Sequence, residues 1–327
     1  MGEFELIERY FKRPPRRAQL GVGDDCAIWL PTPGQALAIS CDMLVEGRHF
    51  LATVDPAALG HKALAVNLSD LAACGAKPCA FTLSLALPQA DEAWLSGFAL
   101  GLWALADEHG CELIGGDTTR GPLNIAITVW GELPPGQALL RSAAQLGDDI
   151  YVSGTPGQAR MALEVFRGKL RLPSAAFERA RARMERPTPR VALGQALRGV
   201  AHAAIDLSDG LLGDLGHILQ ASKLGADIDT RWLVHAKDGE TPWPAHCPDL
   251  AALPWAQALV CGLTGGDDYE LLFTAAPAMR DAVQAAAQSS ATPVTRIGQI
   301  TLQGLRVLDP HGQPMDVSAL HSFDHFA

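Results

Sequence analysis

One short pattern recurs through this sequence: an apolar run, a turn containing Gly or Ser, then Asp. It appears as GVGDD (Asp24, Asp25), ISCD (Asp42), IGGD (Asp117), IDLSDG (Asp206, Asp209) and TGGDD (Asp267, Asp268). Asp70 is a sixth place, in the helical stretch ALAVNLSDLAA, where a charge three residues after Asn67 points either to solvent or into a site. Any one Asp beside Gly is ordinarily a cap or a turn residue. Six such places in one chain ask for a common reason. Carboxylates about 4 Å apart repel by roughly 4 kcal/mol at an effective dielectric of about 20, so a converging set requires cations. Oxygen-only ligands suit Mg2+, which keeps waters and shares its shell with substrate phosphates. The chemistry indicated is metal-assisted handling of phosphate.

The familiar nucleotide signatures are missing: there is no G-x-x-x-x-G-K-[ST], no G-x-G-x-x-G after a strand and no protein-kinase catalytic loop. A phosphate site here must lean on metal. The turn Gly115-Gly116-Asp117-Thr118-Thr119 offers backbone N–H groups beside a carboxylate, and Arg141 offers a bidentate clamp for a phosphate. A nonenzymatic Ca2+ protein is the reading from another class. No loop has the D-x-[DN]-x-[DN]-G spacing, and the acidic residues are spread along the whole chain.

These residues need a frame. A chain of 327 residues, 48% hydrophobic, can bury two cores, and the expected fold class is α/β (α+β) in two domains, 1–137 and 138–327, with the break after Pro134, Pro135 and Gly136. Residues 3–11 read as an amphipathic helix with Phe4, Ile7, Tyr10 and Phe11 on one side. QALAISCDML is a strand that delivers Asp42 at its end. The next helix has Asp55 as N-cap, Pro56 first and Gly75 just past its end. Strand CAFTLSLALP, a helix capped by Asp91 and closed by Gly110, and strands CELIGG and LNIAITVWGEL complete the first unit. In the second, strands IYVSG, AAIDLS, ADID, YELLFTA and TRIGQI alternate with helices over about 158–200, 210–222 and 277–288.

A net charge of −10 argues against nucleic acid, whose nonspecific binding comes from Lys and Arg on phosphates. Seven scattered cysteines without C-x-x-C suggest neither a disulfide framework nor a zinc site. No stretch is apolar enough to span a membrane, the start lacks a signal-peptide centre, and a cytoplasmic location is expected.

The motifs GEFELIERYF, GVGDDCA, KALAVNLSDLAACGA, LIGGDTTRGPL, AIDLSDGLLGDLGHI, GGDDYELLFT and the closing FDHF together resemble the thiamine-monophosphate kinases, of the superfamily that includes aminoimidazole ribonucleotide synthetase and selenophosphate synthetase. The resemblance implies an N-terminal domain whose strands pair with a second subunit in a dimeric β-barrel, and a C-terminal α/β domain closing over the nucleotide. It implies ATP, thiamine monophosphate and several Mg2+ ions, with Asp25, Ser40, Cys41, Asp42, Asp70, Asp117, Asp206 and Asp209 as magnesium positions. Asp209, Asp70 and Asp206 would carry the catalytic metal. Gly116, Asp117, Arg141 and Ser208 match nucleotide contacts, and His49, Asp267 and Phe323 match substrate contacts. Two positions depart from the family pattern: Cys41 stands in place of Thr, and Asp267 often corresponds to Glu. A phosphate monoester is largely dianionic at pH 7, so the acceptor needs no general base and direct in-line transfer is expected. The alternative is another ATP-dependent synthetase of the superfamily, acting on a purine precursor or selenide; Cys26 lacks the Lys-flanked setting of a selenide enzyme, and the tail has no terminal Cys.

Overall fold

The structure is a computed structural model that describes residues 2–233 and 248–323. Cys247 and the motif residues after Phe323 lie outside them. The chain divides into two compact units: Met1–Leu71 with Ala76–Gly136, and Ala72–Gly75 with Gln137–Ala327.

The first unit carries α1 (Glu3–Tyr10), β1 (Ala36–Val45), α2 (Pro56–Ala73), β2 (Lys77–Leu87), α3 (Glu92–His109), β3 (Glu112–Arg120) and β4 (Asn124–Leu133). Its sheet is open, in the order β1-β4-β2-β3. β1/β4 and β4/β2 are antiparallel hydrogen-bonded pairs. β2/β3 is parallel, and α3 supplies the crossover that a parallel pair requires.

Local signals set these boundaries. Asp55 Oδ1 accepts from the Ala58 N–H at 3.0 Å, Pro56 opens α2, and Gly75 takes φ +73° just beyond its end. Asp91 Oδ1 accepts from the Ala93 and Trp94 N–H groups, and Gly110 closes α3 in the left-handed region. Of Trp94, Leu95, Phe98, Leu102 and Leu105, whose spacing predicts one buried face of α3, the last four are buried and Trp94 is half-buried. The two helices meet at glycines: a Cβ on Gly60 would lie 2.0 Å from Phe98 O, and one on Gly101 would lie 1.8 Å from Ala57 O. The expected face of α1 needs correction. Phe4 is 83% exposed, because the buried face is centred on Leu6, with Ile7 and Tyr10 beside it, and Phe4, two residues before Leu6, lies about 160° around the helix from it.

The second unit carries β5 (Asp149–Ser153), α4 (Gln158–Phe166), α5 (Ser174–Glu185), α6 (Val191–Ala196), β6 (Ala203–Asp206), α7 (Leu211–Ser222), β7 (Gly225–Asp229), α8 (Pro248–Ala251), α9 (Trp255–Thr264), β8 (Leu271–Ala275), α10 (Arg280–Ser289), β9 (Val294–Thr301) and β10 (Leu305–Leu308). Its sheet runs β10-β7-β9-β5-β8-β6 and is antiparallel except for β10/β7. Ile150, Val152, Ile205, Leu215, Ile228, Leu272 and Ile297 form the centre of its core. Among the described residues no helix is long and apolar enough to cross a membrane.

Candidate active site

In the first unit, β1 sorts its side chains by alternation. Ser40 and Asp42 are half-buried on one face, while Leu37, Ile39, Cys41 and Met43 are exposed on the other. α2 meets the first of these faces. The Ser40 hydroxyl donates to Asp70 Oδ2 at 2.5 Å, and the Asp42 N–H donates to Asn67 Oδ1 at 3.0 Å. Asn67 is itself fixed, its amide donating to Ala63 O one turn earlier. From Lys62 to Ala73 every residue of α2 is buried except Asp70. A carboxylate half-open in so apolar a helix is held for use. The structure therefore joins Ser40, Asp42 and Asp70, and it turns the Cys41 thiol away from them, leaving only its carbonyl for a ligand role.

Asp117 stands apart from that hydrogen-bonded set. Its register partner is Ser84, whose own neighbour is Ala126, whereas Asp42 lies in the row of Ile127, Leu83 and Gly116. Gly116 takes φ +147°, and a Cβ there would lie 1.9 Å from Leu83 O, so only glycine fits this approach to β2. Asp25 is exposed in a loop, its N–H capped by Asp24 Oδ1 at 2.8 Å. His49 is held by the Val45 N–H, which donates to Nδ1 at 2.9 Å. The neutral ring then carries its proton on Nε2.

In the second unit, three stretches meet. Asp206 ends β6, opposite Leu271 of β8, and is 5% exposed. The loop that follows runs against the TGGDD loop: Asp267 N–H donates to Ser208 O, and Tyr269 N–H donates to Leu207 O. A Cβ on Gly266 would lie 2.3 Å from Ser208 O, which explains the glycine. Asp267 has φ +70° and Tyr269 has φ +52°, unfavourable for side-chain-bearing residues and costing on the order of 1–3 kcal/mol each. Such strain is typical of loops that aim a functional group. The third stretch is the C-terminal tail, whose Phe323 N–H donates to Asp209 O at 3.0 Å. Asp206, Ser208, Asp209, Asp267 and Phe323 are thus linked through backbone hydrogen bonds.

Buried acids hold these loops, and their roles were not visible in the spacing. Asp214 Oδ2 accepts from the N–H groups of Asp209 and Gly210 at 3.2 and 3.0 Å. Burial, and the neighbouring Asp209 charge, push its carboxyl up to about 7, against the pull of those N–H groups and of Arg141. Asp268 accepts from Gly157 N–H at 2.6 Å and Ala159 N–H at 3.1 Å at the start of α4, and burial pushes it up to about 8. Glu270, fully buried, takes hydrogen bonds from Arg183, Arg190 and Ser153. Burial opposes its charge, yet Arg190, Arg183 and Ser153 hold its carboxyl below the usual range.

Among the described residues, no three His, Cys, Asp or Glu side chains converge tightly enough to hold a metal ion. The Ser40, Asp42 and Asp70 set supplies oxygen donors only, which fits a hard cation completing its shell with water and phosphate rather than a closed protein cage.

Residues 23–133 match the AIR synthase related protein N-terminal domain, and residues 135–309 match the AIR synthase related protein C-terminal domain. The chain belongs to the AIR synthase related family. Within that family it is 46% identical over 333 residues to a thiamine-monophosphate kinase of Salmonella typhimurium, covering all of this chain and 98% of that protein. A crystal structure of a thiamine-monophosphate kinase from Stenotrophomonas maltophilia K279a is 45% identical, with a TM-score of 0.82 over 95% of this chain and 96% of that one. AaThiL complexed with AMPPCP and TMP is 28% identical, with a TM-score of 0.74 over 91% of this chain and 89% of that one. The AIR synthase related family thus supplies both units of this chain in order, as the motifs led one to expect.

Proposed function

We propose that this protein transfers the γ-phosphoryl group of ATP to thiamine monophosphate, giving thiamine diphosphate and ADP. The observation that carries this reading is the full-length similarity, at 46% identity, to thiamine-monophosphate kinases. A relative of the same fold complexed with AMPPCP, an ATP analogue, and TMP supports the choice of substrates. Incubation with MgATP and thiamine monophosphate, followed by chromatography, is expected to show ADP and thiamine diphosphate in equal amounts. Turnover only with a purine precursor or selenide as acceptor would overturn the proposal in favour of another synthetase of the superfamily.

Magnesium is the cofactor of this reading. Asp25, Ser40, Asp42, Asp70 and Asp117 of the first unit, with Asp206 and Asp209 of the second and the Cys41 carbonyl, are the proposed ligands. When bound, Mg2+ would offset the charge of two polyanions and align them for in-line transfer. The protein's own groups do the rest. Asn67, accepting from the Asp42 N–H, and Ser40, donating to the Asp70 carboxylate, hold β1 in register with α2. Gly116, Arg141 and Ser208 would bind the nucleotide, Arg141 by two parallel N–H donors to one phosphate. His49 presents an Nε2 N–H, and Asp267 a carboxylate, to the thiamine substrate. No side chain is asked to remove a proton, because the acceptor oxygen is already ionised, and no phosphoenzyme is required.

Phe323 is the proposed face for the cationic thiazolium, a cation–π contact worth about 0.5–2 kcal/mol. Phe323→Ala is therefore expected to raise KM for thiamine monophosphate roughly two- to thirtyfold and leave KM for ATP unchanged. The reverse pattern would move Phe323 to the nucleotide side.

We also propose a homodimer built on the first unit's sheet. β1 is an edge strand, and Leu37, Ile39 and Met43 on its open face are 41%, 61% and 53% exposed. An apolar strip along an unpaired edge is what a second copy would cover, and closing two such sheets on each other would make the expected barrel. Ile39→Lys is expected to shift the protein from dimer to monomer in sedimentation. A wild-type monomer at micromolar concentration would contradict the dimer.

A further inference from the structure

The tail that carries Phe323 reaches the Asp209 turn by a defined route. Met315, Val317 and Leu320 pack against the second unit's core, and the next residues lie over the first turn of α7. There the Gly213 N–H donates to Ser322 Oγ at 2.9 Å, and the Phe323 N–H donates to Asp209 O at 3.0 Å. The first-turn N–H groups of a helix have no partner within it, so Ser322 acts as a cap delivered from more than a hundred residues away.

Gly213 is the informative residue. It sits inside a helix, where glycine is disfavoured relative to alanine, and no left-handed turn requires it. What requires it is the tail: a Cβ on Gly213 would lie 2.7 Å from Ser322 Cβ and 2.8 Å from Ser322 Oγ. A position that gives up helix propensity to admit one side chain is shaped for that contact.

We infer that Gly213 and Ser322 form a latch that presents Phe323 at the Asp209 turn and so sets affinity for the thiamine substrate. This rests on the reading that Phe323 touches that substrate. Gly213 and Ser322 are positioning residues, acting through Phe323. Gly213→Ala displaces the tail by crowding and should itself favour the helix. Ser322→Ala removes the hydroxyl, and Ser322→Thr restores it.

The test is steady-state kinetics on the full chain with each variant, alone and combined with Phe323→Ala. Gly213→Ala and Ser322→Ala are each expected to raise KM for thiamine monophosphate roughly two- to tenfold, the factor one hydrogen bond is worth. KM for ATP, kcat and thermal stability should hold, and Ser322→Thr should stay near wild type. On a Phe323→Ala background neither change should add to the rise, an epistasis that a merely structural role would not produce. If Phe323→Ala raises KM while Gly213→Ala and Ser322→Ala do not, the latch is wrong and the Phe323 reading stands. If Phe323→Ala itself has no effect, both fall.

Discussion

Asp70→Asn is expected to lower kcat by two to three orders of magnitude while the melting temperature moves little. The amide keeps the volume of the side chain and can still accept from Ser40 Oγ, so the packing of α2 under β1 survives. Only the charge is lost. A group that helps to offset developing charge in the transition state typically contributes about 10²–10³ in kcat when removed singly. Ser40→Ala separates charge from contact: it removes a neutral oxygen, both the donor to Asp70 and a proposed metal ligand, and leaves the carboxylate charge, so its loss of kcat should be smaller. Turnover at the wild-type rate by Asp70→Asn in saturating Mg2+ would show that the Asp70 carboxylate is structural.

Glu270→Gln is expected to act on stability. The carboxylate lies between two arginines, with Arg190 Nε at 2.6 Å and Arg183 Nη2 at 2.5 Å, and none of it reaches solvent. An amide turns an acceptor into a donor and leaves buried guanidinium charge without a counter-charge, which costs about 3–5 kcal/mol. The effect should depend on pH in one direction. Because the folded-state pKa of Glu270 is depressed, its contribution is full above the ordinary glutamate value and disappears as pH falls through the folded value. The gap in melting temperature between wild type and variant should therefore be widest near neutrality and narrow on acidification. A gap that widened in acid would mean that Glu270 is protonated in the native state at neutral pH. Asp267 lies three residues earlier in the same loop, and Gly154, where a Cβ would lie 2.0 Å from Glu270 Oε1, is shaped to admit this ion pair.

Features fixed by neighbouring residues were legible in the sequence. The caps at Asp55 and Asp91 and the stops at Gly75 and Gly110 each depend on two or three adjacent residues, and the helices between them stand where those signals put them. α9 and β10 gave no such signal. β10 is four residues long and its ladder is with β7, so its identity as a strand is decided by a partner far along the chain. The aspartates were visible beside apolar runs, but not every setting was: Asp42 lies inside β1 rather than at its end, Asp117 and the whole Gly115–Thr119 stretch lie inside β3 rather than in a turn, and Asp70 lies within α2, because pairing with β4 and β2 carries both strands past the polar residues.

Contacts across the sequence were not legible. Nothing near Asp214 announces that it holds the Asp209 turn, and nothing near Ser322 announces Gly213. Strand alternation, by contrast, was available from the start: Ser40, Cys41 and Asp42 in one strand cannot all turn their side chains to the same face. Phe4 shows the opposite limit, a helix too short for its apolar residues alone to reveal which face is covered.

The central claim, that a phosphoryl group passes straight from ATP to thiamine monophosphate, can be followed by label. In a single turnover with γ-32P-ATP, Mg2+ and thiamine monophosphate, the label should appear in thiamine diphosphate at the rate at which ADP forms, with none on the protein. Label recovered on the protein, or as inorganic phosphate with the thiamine monophosphate unchanged, would contradict it.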